Sequence, residues 1–280
     1  MPRRRTDSSS GTAELLNTLG DLTGRVLDLI KVQQARVELA AALQRQVLAA
    51  ELPVLPYLQV AGRYAPARAG LDIGGDWYDG FLMPDGSVGF VIGDVQGHDV
   101  EAAALMGQVR TCLRAVATAT TDPAEVLRRT NDLLVAMDCG LFVTCSFLRF
   151  DPATSELTDA RAGHIPAVWA TADGCCDIVL NDGGLPLGIQ AGESYRSTRR
   201  QLSGVGAFVL LTDGVVEGPS YPIEEGLKQV ADLLVGACRT DPEELAALVI
   251  KVADLTGHSD DAAVLVLRYG GLQEQRQDER

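Results

Sequence analysis

The 280-residue sequence predicts an α+β fold, antiparallel sheets flanked by helices, on three observations. Short runs rich in β-branched and aromatic residues, bounded by Gly, Pro or Asp, dominate residues 58–92 and return after 142. Segments with helical spacing come in two pairs, one between 101 and 136 and one between 224 and 255. Strand and helix do not alternate regularly, as a doubly wound parallel sheet would require.

Taken in order, residues 1–12 are rich in Arg, Ser and Thr and are expected to form a disordered tail. A helical segment is expected over 13–52, because Leu15, Leu19, Leu22, Val26 and Leu29, then Val32, Leu39, Leu43 and Val47, recur at steps of three and four with one slip after Leu29. Gly20 and Gly24 weaken it by about 1 kcal/mol each relative to Ala. Such a stripe suits a helix packed on the main domain and equally a dimerising or signal-receiving helix. Pro53 and Pro56 end it and open a domain expected to run over 53–270. Strands are expected at Leu58–Tyr64, Ser87–Ile92, Phe142–Phe150, Ala167–Ala170, Ala207–Leu211 and Ala262–Tyr269. Helices are expected at Glu101–Ala117, Asp122–Ala136, Glu224–Ala237 and Asp241–Leu255, the second and fourth starting on an Asp-Pro pair suited to N-cap and first helical turn. Residues 271–280 form a second expected tail.

Composition narrows the function. At 46% apolar and 22% charged residues the chain can bury a full core. The first sixty residues carry seven basic against six acidic side chains, whereas the remainder carries 17 against 32. A surface that acidic repels phosphate backbones and anionic lipid, so neither nucleic acid nor a membrane surface is an expected partner. The longest apolar runs, such as Ala262–Leu267, are six residues, far short of the ~20 a membrane-spanning helix needs. The basic start lacks the apolar segment of a signal peptide, which predicts a cytoplasmic protein. Six cysteines without a Cys-x-x-Cys pair, the neighbours Cys175 and Cys176 included, are then expected to be reduced.

The informative chemistry is aspartate beside glycine at strand ends: Gly74-Gly-Asp-Trp-Tyr-Asp79, Gly93-Asp-Val-Gln-Gly-His98, Thr212-Asp-Gly214 and Gly257-His-Ser-Asp-Asp261. One such carboxylate is ordinarily a turn or cap. Four of them brought to one sheet edge would repel each other unless a cation neutralised them. Oxygen-only donors suit Mg²⁺ or Mn²⁺, and the lack of clustered Cys and His argues against zinc. Two such ions would activate a water and clamp a phosphoryl oxygen, so metal-assisted phosphoester hydrolysis is the expected chemistry.

The ordered series Tyr64-Ala-Pro-Ala67, Gly74–Asp79, Gly93–His98, Ala102–Ala104, Ala162-Gly-His-Ile-Pro166, Pro186-Leu-Gly188, Thr212–Glu217 and Ser259-Asp-Asp-Ala262 resembles the type 2C (PPM) metal-dependent protein phosphatases, and within them the bacterial SpoIIE/RsbU-like branch. The resemblance covers roughly 57–270. It implies a sandwich of two antiparallel β-sheets flanked by α-helices, with a pair of Mn²⁺ or Mg²⁺ ions in a cleft at one end. It further implies that Asp94 bridges both ions, that the Val95 carbonyl ligates one, that Asp213 and Asp260 hold the other, and that Asp76 acts through ordered water. A metal-bridging hydroxide would then attack phosphoserine or phosphothreonine in line. The substrate implied for this branch is a phosphorylated anti-anti-sigma factor of the STAS fold, whose dephosphorylation frees a sigma factor by partner switching.

Departures from the family pattern bear on individual roles. Gln96 stands where eukaryotic members have a candidate general-acid His, leaving protonation of the leaving group to His98, to a metal-bound water or to nothing. Asp99 stands where many members of the branch have Gly and is read as the cap of the helix beginning near Glu101. His164 is read as a satisfied structural residue, Trp77-Tyr78 as core anchors, and Asp79 and Asp261 as candidate orienting partners. Arg63 and Arg68 are the only candidate phosphate clamps. A silent scaffold binding a STAS-like partner is the alternative, disfavoured because Asp94, Asp213 and Asp260 are all present; a small-phosphoester hydrolase is the third reading.

Overall fold

Residues 58–269 fold into two five-stranded sheets packed face to face in the computed structural model, which describes residues 22–28, 30–32, 51–66, 74–97, 100–180, 182–257 and 260–270. The expected tails 1–12 and 271–280 and most of the segment 13–52 lie outside those residues. Residues 22–28 and 30–32 are helical (α1), with Leu22, Val26, Leu27, Ile30 and Val32 exposed.

The strands are β1 (Leu58–Ala65), β2 (Trp77–Leu82), β3 (Val88–Val95), β4 (Val143–Asp151), β5 (Glu156–Ala162), β6 (Val168–Thr171), β7 (Cys176–Ile178), β8 (Thr198–Gln201), β9 (Gly206–Leu211) and β10 (Ala262–Tyr269). One sheet has the order β1-β10-β9-β6-β7 and the other β2-β3-β4-β5-β8, and every pair of these strands is antiparallel. Helices α2 (Val100–Val116) and α3 (Pro123–Met137) cover the outer face of the second sheet. Helices α4 (Asp213–Val216), α5 (Ile223–Ala237), α6 (Pro242–Ile250) and α7 (Ala253–Thr256) cover the first.

Strand periodicity explains the four layers. In β10, Ala263, Leu265 and Leu267 enter the core between the sheets, while Ala262, Val264 and Val266 enter the core under α5 and α6. Val88, Phe90 and Ile92 of β3 face the inter-sheet core in the same way, and Val91 and Val95 face α2 and α3. A strand buried on both faces reads as a continuous apolar run, which is why these strands stand out in the sequence. Asp122 and Asp241 cap α3 and α6 as expected, accepting hydrogen bonds from the Ala124 and Glu243 amides. The helix expected over Asp241–Leu255 instead stops at Lys251 and resumes as the short α7. Strands β2, β5, β7 and β8 and helix α4 were not expected. The strands carry Asp, Gly and Arg among their residues and are placed by cross-strand pairing, while α4 is a single turn that follows directly on β9.

One buried ionic contact ties a helix to a sheet. Asp79 projects from β2 toward α2, where its carboxylate, 1% exposed, accepts hydrogen bonds from Arg110 (2.9 and 3.2 Å) and Arg114 (2.6 and 2.6 Å). Burial alone would raise its pKa, but the hydrogen bonds from Arg114 and Arg110 outweigh that and hold it below the usual carboxylate value. Asp79→Asn should therefore cost about 2–4 kcal/mol in chemical denaturation, since both guanidinium groups lose their ionic partner. Asp182→Asn, which removes the exposed partner of Arg196, should leave the midpoint unchanged.

Candidate metal centre

At one end of the sandwich the inward-facing register runs out of apolar residues. Following Phe90 and Ile92 inward along β3, the next position on that face is Asp94; in β4, Thr144 lies directly opposite Asp94. Past Phe208 and Leu210 the next inward position is Thr212, and before Ala263 it is Asp261. Asp213 opens α4 immediately after Thr212, and Asp260 immediately precedes Asp261. Asp76 reaches the same region from the start of β2: its Oδ2 accepts a 2.6 Å hydrogen bond from the Thr212 hydroxyl, a contact between the two sheets. Exposure grades from floor to mouth, with Asp76 and Asp261 buried, Asp94 and Asp213 half-buried and Asp260 exposed.

Two glycines allow this approach. A Cβ on Gly75 would sit 2.2 Å from the Val95 carbonyl oxygen and 3.0 Å from Asp94 Oδ1, and one on Gly74 would overlap the Asp261 carboxylate. The segment 74–76 can thread between Asp94 and Asp261 because it carries no side chain there. The Val95 amide in turn donates to the Gly75 carbonyl at 3.2 Å.

The electrostatics are those of like charges held together. Burial pushes Asp76 well above the usual carboxylate range; Asp94, Asp213 and Asp261 push it further, against the stabilising hydrogen bond from Thr212. Asp94 is raised to about 8, by burial first and then by Asp213 and Asp260, partly offset by a hydrogen bond with Asp76. Asp213 is raised by burial, then by Asp260 and Glu217. Every charged group that dominates the field at these three carboxylates is another carboxylate. A site of this kind binds a cation in place of protons.

The donors suit a hard divalent ion: carboxylate oxygens, the Val95 carbonyl and a backbone cradle that a Cβ would fill. Among the described residues no three Asp, Glu, His or Cys side chains form a preassembled cage around one point. One or two carboxylates per ion, completed by carbonyl and water, is the mode in which Mg²⁺ is usually held.

The other expected residues divide clearly. His164 engages both ring nitrogens, with Thr144 Oγ1 at 2.9 Å and the Leu211 carbonyl at 3.1 Å, and burial pushes its pKa down to about 3. Neither ring nitrogen is left over to bind a metal ion. Trp77 is fully buried between the second sheet and its helices, against Gly93, and so anchors the core. Asp79 serves α2 and lies on the face of β2 away from the carboxylates. Arg63, a candidate phosphate clamp, pairs instead with Glu243 of α6 at 3.3 Å, because its position in β1 shares the face of Ala61, which packs under the helices. Arg68, His98 and Asp99 lie outside the described residues. Thr212, Thr144 and Arg161, whose guanidinium donates to the His164 carbonyl at 2.5 Å, were missed. Only Thr212 left a signal, standing directly before Asp213.

Residues 84–270 match the family model of stage II sporulation protein E (SpoIIE). The chain is 25% identical over 243 residues to phosphoserine phosphatase RsbU of Bacillus subtilis (strain 168), covering 84% of this chain and 70% of RsbU. It superposes with a TM-score of 0.71 and 31% identity on the solved RsbU and RsbW domains of Rv1364c from Mycobacterium tuberculosis, over 80% of this chain and 63% of that one. It thus spans less than two thirds of the Rv1364c chain. RsbX, solved in complex with magnesium, shares the fold at a TM-score of 0.60 and 15% identity, over 79% of this chain and 99% of RsbX.

The raised Asp94 pKa sets a sign for stability. An unfolded Asp ionises near 3.8 and Asp94 in the folded, metal-free protein near 8, so stability is lost as pH rises through that interval. Between pH 6.5 and 8 the buried, neutral His164 opposes this loss weakly, because an unfolded His is still partly protonated near its ordinary pKa of ~6.5. Metal-free protein should lose about 1–2 kcal/mol net over this window. Excess Mn²⁺ at pH 8 should restore it, and Asp94→Asn should flatten the slope, as read by thermal melts.

Proposed function

The chain belongs to the stage II sporulation protein E (SpoIIE) family, and from that premise we propose that it is a metal-dependent protein serine/threonine phosphatase acting on phosphoserine or phosphothreonine. The observation that carries the reading is the gathering of Asp76, Asp94, Asp213 and Asp260 at one sheet edge, where burial and then neighbouring carboxylates (Asp94 and Asp213 at Asp76, Asp213 and Asp260 at Asp94, Asp260 at Asp213) raise the proton affinity of the first three, a site suited to bound cations.

In this proposal Asp94 with the Val95 carbonyl, and Asp213 with Asp260, would hold two Mn²⁺ or Mg²⁺ ions, and Asp76 would act through water. Such ions, when bound, supply a water activated at neutral pH and neutralise phosphoryl charge. The chain's own contribution is placement. Thr212 orients the Asp76 carboxylate, Gly75 brings backbone against Asp94 and Val95, and Gly74 brings it against Asp261. The rim residue Gln96 has no acid proton to give, which would leave His98, a water held by the ions or no group at all to protonate the leaving oxygen.

The finer proposal follows the resemblance of the motif series: the substrate is a phosphorylated anti-anti-sigma factor of the STAS fold in a partner-switching pathway. The segment 13–52 is proposed as a regulatory or dimerising helix, supported by Leu22, Val26 and Ile30 standing exposed at steps of four.

Purified protein should release p-nitrophenol from p-nitrophenyl phosphate only with Mn²⁺ or Mg²⁺, and Asp94→Asn should lower turnover at least about 10²-fold. Undiminished turnover in that variant would overturn the two-metal reading, and metal binding without turnover on any phosphoprotein would favour the scaffold. Removing residues 1–50 should change the mass seen by light scattering or the basal rate; if neither moves, the segment has no regulatory or dimerising role.

A further inference from the structure

We propose that His164 is a positioning residue for the metal centre, a neutral staple between the two sheets that sets how far Asp94 stands from Asp213 and Asp260. The inference rests on the metal-centre reading above and assigns part of that site's geometry to a residue that holds no ion itself.

The two halves of the centre belong to different sheets. Asp94 lies on β3, hydrogen-bonded through β3 and β4 to the strand carrying Thr144, its direct cross-strand partner. Asp213 follows β9 and Asp260 precedes β10, and these two strands pair in the other sheet. The inter-sheet core is held by side-chain packing, which is non-directional and does not by itself aim one polar group at another. At the cleft His164 replaces this with directed bonds. A carbonyl only accepts, so Nε2 carries the proton toward Leu211, and Nδ1 accepts from the Thr144 hydroxyl.

Both anchors sit next to proposed ligands. Thr144 faces Asp94 across the ladder, and Leu211 lies two residues before Asp213. Between Leu211 and Asp213, the Thr212 amide donates to the Ala263 carbonyl at 3.0 Å and the Thr212 hydroxyl accepts from the Ala263 amide at 2.8 Å, coupling the same point to the Asp260-Asp261 segment. His164 is itself held from behind. Arg161 donates to its carbonyl, the Gly163 amide donates to the Gly184 carbonyl at 2.8 Å, and Gly163, at φ +64°, lies where a Cβ would strike Pro186. Burial keeps the ring neutral across the working pH range, so the staple does not switch with pH.

The test is binding of Mn²⁺ alone to the full chain, by calorimetry and by the exchange-coupled electron paramagnetic resonance signal of a Mn²⁺ pair. Thr144→Val, which keeps shape and removes only the hydroxyl, and His164→Ala should each weaken Mn²⁺ binding about 10–100-fold, the usual cost of losing an outer-shell support. Each should also diminish the coupled signal. The double variant should cost no more than His164→Ala alone, because both act through one bond. A purely structural role would lower the melting temperature of the variants but leave wild-type affinity and the coupled signal, and would overturn the proposal. If His164→Ala does not fold, Thr144→Val decides on the same readouts. Wild-type protein that binds no Mn²⁺ would instead overturn the metal-centre reading, and the proposal with it.

Discussion

The repulsion among Asp76, Asp94, Asp213 and Asp260 is the constraint around which this molecule is organised. Left to itself, a flexible chain would spread four such groups into water. Here they are gathered at the mouth of an apolar sandwich, where burial first and then neighbouring carboxylates raise the proton affinities of Asp76, Asp94 and Asp213. That arrangement is possible because Asp94, Asp213 and Asp260 adjoin β3, β9 and β10, which are buried on both faces, while Asp76 is held by its bond to Thr212. Phe90, Ile92, Phe208, Leu210, Ala263 and Leu265 fix the strand ends against one another, and the aspartates follow as the next residues of the same register or its immediate neighbours. In the proposed centre this crowding of buried carboxylates is what would give affinity for a divalent cation.

Asp76 and Asp79, three residues apart, show how far environment decides what a carboxylate does. Asp79 faces the helices, meets two guanidinium groups and is held ionised as a brace for α2. Asp76 lies at the inter-sheet mouth, meets a hydroxyl and other carboxylates, and has its pKa pushed well above the usual carboxylate range by burial and by those neighbours. Near-identical chemistry in one motif is divided by the side of the sheet each residue occupies, which gives one a structural duty and the other a place in the centre.

The same division runs through the histidine and the arginines. His164 spends both ring nitrogens on backbone and hydroxyl partners from opposite sheets, so it contributes geometry and no charge. Arg63 goes to α6, while Arg110 and Arg114 go to Asp79. With cations spent on the outer layers, the acidic mouth keeps its field, which suits a divalent metal.

Much of this was legible in the sequence. Six strands and four helical segments announced themselves through apolar runs and Asp-Pro starts, since burial on both faces and capping are local, composition-dependent demands. The aspartates at strand ends were visible for the same reason: Gly-Asp pairs interrupt apolar runs where a strand leaves the core. Strand β2 stayed hidden because Asp79 and Gly80 carry no strand signal of their own and are placed by pairing with β3. What the sequence by itself determined is the set of carboxylates and the buried strands that end at them, because hydrophobic periodicity is written residue by residue. What only the tertiary structure decided is which sheet face each polar group meets, and so that Asp79 is a brace, Arg63 lies away from the cleft, and Thr144, His164 and Thr212 join the two halves of the centre. Those assignments depend on contacts between residues as far apart as 76 and 212, and no local pattern encodes them.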